Sequence, residues 1–538
     1  MVDKAASAET AELDVAIVGA GYAGLLMLHR ARGLGLKARV FERSDTVGGT
    51  WNWNRYPGAR CDTESLEYSY QFSDELFQDW SWTERFGTQP ELLAYAQHVA
   101  RRFDLLRDIE FECSIERAWF DEKGAVWRFE DAGGNRRTAR FLILAAGCLS
   151  STNLPEIEGR ESFAGPVHHT GYWPRSGVDL RGQVVGVIGT GSSAVQVLPT
   201  IAPEVQGLFV FQRTANYVVP AHNGPIAPAY EAEVRQDHRQ FRLNNAQMPR
   251  GHGWRNRGKG LPALDAPREE VEQDLERRWQ AGGLNFLDGW SDLLTDLRAN
   301  TIAADFVRRK IRCVVRDQAV AEKLCPTHPI GCKRVSVGDG YYETFNRDNV
   351  HLVDIKSTPI ERITPEGIVV QGRTYPLDVL IFATGFDAMT GPILAVDVTG
   401  RNGLRLKEKW SAGPRNYLGL TVNGFPNLFM LTGPGSPSVL SNMHVTIEHH
   451  TQWVTQCLSD LLDAGQTRIE ATETAESEWV GRVDRIASST LYPSCNSWYL
   501  GANIPGKPRM FMPFVGFPDY VRLCEGVVNA GYAGFERV

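Results

Sequence analysis

The stretch Leu13-Asp14-Val15-Ala16-Ile17-Val18-Gly19-Ala20-Gly21-Tyr22-Ala23-Gly24 decides the fold. Its first six residues form an apolar run of strand length, and Leu25 to Gly33 continues as a helix. The glycines between them have separate jobs. Gly19 permits the tight turn, Gly21 lets backbone approach a pyrophosphate, and Gly24 allows close helix–strand packing. Phosphates would then rest on the helix N-terminus. The next strand, Lys37 to Glu42, ends in a carboxylate. A carboxylate at that position accepts ribose hydroxyls and repels a 2′-phosphate, so this site suits FAD or NAD and not NADP.

A second strand–turn–helix carries the opposite charge. Val184 to Ile188 leads into Gly189-Thr190-Gly191-Ser192-Ser193-Ala194, with Gln196 in the helix that follows. Ala194 stands where the pattern tolerates either glycine or alanine. The strand after it ends in Arg213-Thr214, and a guanidinium beside a hydroxyl suits the 2′-phosphate of NADP. Two nucleotide sites of opposite preference imply one resident FAD, at the N-terminal site, and one NADPH. Hydride transfer from NADPH to flavin would open the chemistry.

The chain has 538 residues, beyond the roughly 250–300 that one core can serve. Hydrophobic residues make up 43% and charged residues 22%, which excludes disorder and fibrous classes. Net charge is −7, so there is no general drive toward nucleic acid or an anionic membrane. No apolar run reaches the roughly 18 residues of a membrane span. The run Val15 to Leu28 imitates a signal-peptide core, but its glycines argue for a strand turning into a helix. The nine cysteines are scattered, odd in number and free of C-x-x-C, which reads as reduced thiols in a cytoplasmic protein. Neither a disulfide framework nor a metal site is expected.

Strands alternating with helices imply an α/β protein with two Rossmann-like doubly wound domains. Residues 1–150 read as the first part of the FAD-binding domain and 151–224 as the first part of the NADP-binding domain. Residues 225–324 are a helical insertion, in which Val271, Leu275 and Trp279 recur at helical spacing. Residues 325–383 return to the NADP-binding domain and 384–538 to the FAD-binding domain. Residues 1–12 read as a loose tail. Pro249 to Gly260, polar, basic and Gly-rich, reads as a mobile loop.

Two further stretches are more specific. One is Gly48-Gly49-Thr50-Trp51, continuing to Tyr56-Pro57-Gly58 and Asp62. The other runs from Phe163 through Gly165, His169 and Trp173 to Pro174, matching F-x-G-x-x-x-H-x-x-x-W-P. Both resemble the signatures of type I Baeyer–Villiger monooxygenases, within the phenylacetone, cyclohexanone and steroid monooxygenase group and most closely its phenylacetone branch. The resemblance covers essentially the whole chain. It implies an enzyme in which NADPH reduces FAD and dioxygen adds to give a C4a-peroxyflavin, which attacks a ketone and yields an ester or lactone.

The resemblance also implies residue roles. In Gly331-Cys332-Lys333-Arg334, Arg334 is the cation that stabilises peroxide and oxyanion, and Lys333 helps hold the 2′-phosphate. Asp62 matches the carboxylate that positions this arginine, and such a pairing makes sense because a carboxylate orients a planar guanidinium. Gly49, Thr50 and Trp51 fall in the flavin loop, and Trp498 matches a tryptophan that reaches NADP. Phe163, Gly165, His169, Trp173 and Pro174 carry a structural or conformational role, His169 not being the reacting base. Asp387, closing Ala383-Thr384-Gly385-Phe386-Asp387, belongs to the second linker. Leu440, Ser441 and Met443 are pocket-lining candidates. Asn52 departs from the tyrosine that relatives often carry.

The partners expected are a ketone and dioxygen, without nucleic acid or membrane insertion; the oligomeric state is open, a monomer included. Rival readings are a flavin monooxygenase acting on sulfur or nitrogen, an NADPH oxidase releasing peroxide, and a non-catalytic NADPH-binding sensor. The identity of the ketone is not legible, because scattered loop residues form the pocket.

Overall fold

The computed structural model describes residues 11–507 and 516–538. The expected N-terminal tail therefore lies, up to Thr10, outside the described residues. Two sheets organise the rest. The first has eight strands, in the order Asp397–Thr399, Ile115–Asp121, Val126–Asp131, Arg136–Leu144, Leu13–Val18, Ala38–Phe41 and Ile109–Glu110, with Leu428–Met430 also paired to Arg136–Leu144. Its centre is parallel: Ile17 lies opposite Val40 on one side and Ile143 on the other. A strand covered on both faces must be apolar throughout, and Val15, Ala16 and Ile17 are fully buried. Burying a side chain such as Val or Ile contributes about 1.5–3 kcal/mol.

The second sheet has five parallel strands, in the order Val350–Asp354, Gly207–Gln212, Val184–Ile188, Val379–Phe382 and Val167–His169. A three-stranded antiparallel sheet, Arg362–Thr364, Gly367–Val370 and Arg373–Pro376, lies in the chain between its outer and inner strands. Each large sheet thus draws strands from two separate parts of the sequence. Between those parts, residues 228–324 are helical, with helices Pro228–Gln236, His238–Ala246, Arg268–Ala281, Leu297–Val314 and Gln318–Leu324. Val271 and Leu275 are fully buried, as their spacing requires.

Both glycine loops lie where a parallel strand hands over to a helix, Tyr22–Gly33 or Ser192–Ile201. Gly19 and Gly189 hold φ of 104° and 118°, a region that a side chain would strain. A Cβ on Gly24 would stand 1.9 Å from the Gly19 carbonyl oxygen, so helix and loop touch there.

One expectation needs correction. Cys332 and Cys495, 163 positions apart, form a disulfide. Spacing rules see local pairs, whereas this bridge depends on where two loops meet. The Pro249–Gly260 stretch is loop, as expected, with Gly251 to Gly253 buried and Arg255, Arg257 and Lys259 exposed. Its Gly253 N–H donates to the Glu67 carboxylate at 2.8 Å, and its Arg250 carbonyl accepts from Asn442 N–H at 2.8 Å.

Candidate active site

At the first loop, the Tyr22–Gly33 helix begins at Gly21 without a side-chain cap, leaving first-turn N–H groups available to an anion. Glu42 is buried and its carboxylate accepts from Ala20 N–H at 2.7 Å and Ser44 N–H at 2.8 Å. Burial raises its pKa against those two hydrogen bonds. Gly49 precedes the short helix Thr50–Trp53, and Trp51 Nε1 donates to Tyr68 Oη at 3.3 Å. Asn52 is buried and shared: its Nδ2 donates to Ser44 Oγ at 2.5 Å and its Oδ1 accepts from Arg55 at 2.6 Å. The departure at Asn52 therefore builds a polar link under this loop.

At the second loop, the Ser192–Ile201 helix also starts uncapped, at Gly191. A Cβ on Gly191 would meet nothing within 4 Å, so the space over this loop is open. Thr190 Oγ1 donates to the Thr214 carbonyl at 2.7 Å, and the Ser192 and Ser336 hydroxyls pair at 3.1 Å. Ser193 touches the Tyr56 hydroxyl. Gln196 also bonds to the facing loop: its Oε1 accepts from Tyr56 Oη at 2.8 Å and its Nε2 donates to the Arg60 carbonyl at 3.0 Å. Arg213 is exposed and Lys333 half-buried. Burial lowers the Lys333 pKa and the neighbouring Arg213 charge lowers it further. Neither makes an ion pair among the described residues. Two adjacent cations without a carboxylate, beside an open phosphate loop, fit a 2′-phosphate.

Asp62 and Arg334, separated by 272 positions, meet. Arg334 Nε donates to Asp62 Oδ2 at 2.9 Å and Nη2 to Oδ1 at 2.8 Å, a fork-on-fork pair; Nη1 donates to the Val439 carbonyl at 3.0 Å. Tyr499 also hydrogen-bonds the guanidinium. Burial opposes both charges, yet each partner stabilises the other. The Asp62 pKa is held below its ordinary value and that of Arg334 well above it. The arginine side chain keeps 24% exposure and lines a cavity with Leu287, Val439, Leu440, Ser441 and Tyr499.

Trp498 opens a single helical turn capped by Ser497, and its ring packs on Tyr499 at 4.4 Å. Leu440 and Ser441 line the cavity, and Met443 packs against the neighbouring apolar cluster of Cys148, Ala388, Met389, Val439 and Tyr499. His169 lies where the chain crosses between the sheets. Its Nδ1 accepts from Gly171 N–H at 2.9 Å, and its Nε2 lies 3.3 Å from Thr384 Oγ1, which donates to the Asn153 carbonyl at 2.5 Å. Both crossing segments thus converge on it, and burial lowers its pKa. Phe163 and Trp173 are buried, with Pro174 half-buried beside Trp173, and a Cβ on Gly165 would stand 2.2 Å from the Asp378 carbonyl oxygen. Asp387 pairs with Lys507.

A flavin-binding monooxygenase-like family model matches residues 12–229. A Baeyer–Villiger monooxygenase of Pseudooceanicola batsensis is 40% identical, over 98% of this chain and 96% of that protein. A solved steroid monooxygenase bound to NADP is 48% identical, covers 98% of this chain and 99% of its own, and superposes with a TM-score of 0.93. This chain belongs to the Baeyer–Villiger monooxygenase family. A further relative, phenazine N-monooxygenase PhzNO1 of Lysobacter antibioticus, is 39% identical over 97% of this chain and 96% of that protein.

In this Baeyer–Villiger monooxygenase the cavity also holds residues that sequence reasoning missed. Arg250, His252 and Tyr492 line it, and Arg250 Nε lies 3.5 Å from Asp288. His252 Nδ1 lies 3.8 Å from Glu67. Burial lowers the His252 pKa to about 4, and burial, with Glu64, raises that of Glu67 to about 8. Burial thus disfavours the charged form of both partners despite their ion-pair geometry. Only the basic, Gly-rich character of Pro249–Gly260 hinted at these residues. No helix among the described residues is long and apolar enough to cross a membrane.

Proposed function

We propose that this protein is an NADPH- and dioxygen-dependent flavoenzyme that inserts one oxygen atom beside a ketone carbonyl, giving an ester or lactone. The observation that carries the proposal is the Asp62–Arg334 fork facing the cavity. Residues 1–150 and 384–538 would hold FAD through Gly19, Gly21, Gly24, Glu42, Gly49, Thr50 and Trp51. Residues 151–224 and 325–383 would hold NADPH through Gly189 to Ser193, Arg213, Thr214, Lys333 and Trp498, around the 225–324 insertion. When bound, FAD supplies the oxygen-activating chemistry and NADPH the hydride. Uncapped helix starts at both loops and the open space over Gly191 support this fit.

Arg334 presents a fixed cation where negative charge develops on the ketone oxygen. Three of its five N–H donors are spent on Asp62 and Val439, which sets the guanidinium plane before substrate arrives. Leu287, Val439 and Leu440 thin the water around that charge, which strengthens it. His169 ties the two crossing segments. The test is a panel of cyclic, aryl, aliphatic and steroid ketones with NADPH and air, read by product mass. Ester or lactone carrying one added oxygen supports the proposal; peroxide alone with every ketone overturns it. The N-monooxygenase relative supports a second reading, so phenazine belongs in the panel, an N-oxide without ester favouring nitrogen oxidation.

A further inference from the structure

The Cys332–Cys495 disulfide joins two segments that the proposed function places on one cavity. Cys332 is buried and immediately precedes Lys333 and Arg334. Cys495 is partly exposed and lies three residues before Trp498 and four before Tyr499. Their Cα atoms are 6.2 Å apart. Gly331 and Arg334 from one side of the bridge, and Tyr492 and Tyr499 from the other, line the same cavity.

The Cys495 segment lies outside both large sheets and the long helices. It consists of two single helical turns, Tyr492–Ser494 and Trp498–Leu500, and contributes no strand to any sheet. Its ties to the rest of the molecule include Leu491 N–H to the Leu294 carbonyl at 2.9 Å, the Tyr499–Arg334 hydrogen bond, Asn503 Nδ2 to the Phe386 carbonyl at 2.7 Å and Asn153 Nδ2 to the Asn503 carbonyl at 3.3 Å. A segment outside the packed sheets opens at lower free-energy cost than core strands and helices. By contrast, the Cys332 side is rooted by Ile330 N–H to Asn300 Oδ1 at 3.0 Å and by the Asp62 fork.

We propose that the Cys332–Cys495 disulfide is a positioning tether, holding Trp498 and Tyr499 against Arg334 and Lys333 so that NADP and the cavity are enclosed together. Neither cysteine touches the reacting atoms; the tether acts through Arg334 and Trp498. This rests on the proposed function for what the cavity does, but not for the tether's effect on nucleotide binding. The bridge closes when the two thiols reduce a small organic disulfide to two thiols, forming one S–S bond with protons and electrons balanced. An external thiolate reopens it by attacking the accessible Cys495 sulfur and releasing Cys332.

Alkylation of the FAD-loaded protein without reductant, followed by peptide mass analysis, should find Cys332 and Cys495 linked and the other seven cysteines alkylated. Calorimetry should show NADP⁺ binding about tenfold weaker in Cys332→Ser, in Cys495→Ser and in dithiothreitol-reduced wild type, because segment ordering must then accompany binding. Oxidised glutathione should restore the wild-type protein and neither variant. During turnover, the share of NADPH ending as hydrogen peroxide should rise in the same three samples, while the pH dependence of ester formation, set by Arg334 and its partners, should not move. Reduction of the wild type separates this from a folding defect in the variants. Free, alkylated Cys332 and Cys495 in the native protein would overturn the proposal, as would NADP⁺ affinity unchanged on reduction. If no ketone is converted yet NADP⁺ affinity follows the bridge, the functional reading fails and the tether stands.

Discussion

Arg334 shows how a charge is stored for use. Its bidentate pair with Asp62, together with the Val439 carbonyl and Tyr499, fixes the guanidinium in the cavity wall. Arg334→Ala should cut ester formation by about 10²–10³ while NADPH still bleaches the flavin, by analogy with a lost oxyanion donor. Stopped-flow flavin absorbance and product yield separate the two steps, and normal ester yield would remove Arg334 from the mechanism. Glu67 makes a different prediction. Its folded pKa of about 8 lies above that of an unfolded glutamate, so between roughly pH 4.5 and 8 the folded state holds a proton that the unfolded state has released. That contribution to stability is lost as pH rises through the window. Glu67→Gln keeps an acceptor for Gly253 N–H and cannot titrate. Its Tm should therefore fall less steeply with pH than that of the wild type, and parallel Tm–pH curves would refute the assignment. At this scale Arg334 was recognisable in the sequence only through a resemblance; a lone arginine otherwise reads as surface charge.

Within the elements, two glycines of similar appearance do different work. Gly24 has no room for a Cβ, which would stand 1.9 Å from backbone, whereas Gly191 has nothing within 4 Å. Gly24→Ala should therefore lower Tm and lose FAD on gel filtration. Gly191→Ala should fold with unchanged Tm but raise the KM for NADPH severalfold, because its methyl enters the space open to phosphates. A Gly191→Ala enzyme with wild-type KM would show that the pyrophosphate rests elsewhere. Both loops, their strands and helices were legible from local pattern, since glycine spacing and apolar runs are short-range signals. The cavity-lining residues inside the Pro249–Gly260 loop were not legible for the same reason. Polarity predicts exposure, yet here Arg250 and His252 face a cavity formed with residues far along the chain.

For the molecule as a whole, the proposal of one nucleotide per sheet rests on the contrast between Glu42 and the Arg213–Lys333 pair. A charge-assisted hydrogen bond contributes about 1.5–3 kcal/mol, so removing Arg213 or Lys333 should each shrink the NADPH-over-NADH ratio of kcat/KM by about ten- to a hundredfold. A ratio unchanged in Arg213→Ala and in Lys333→Ala would place the 2′-phosphate elsewhere. The amino-acid sequence by itself determined the two glycine-loop units, their opposite charges and the helical stretch between them. These follow from runs of neighbouring residues whose propensities and spacing act locally. Only the tertiary structure decided that Asp62 reaches Arg334 across 272 positions, that both crossing segments meet at His169, and that Cys332 is bonded to Cys495. Those contacts depend on how discontinuous sheets dock, a property of chain closure over long loops that no short window of sequence contains.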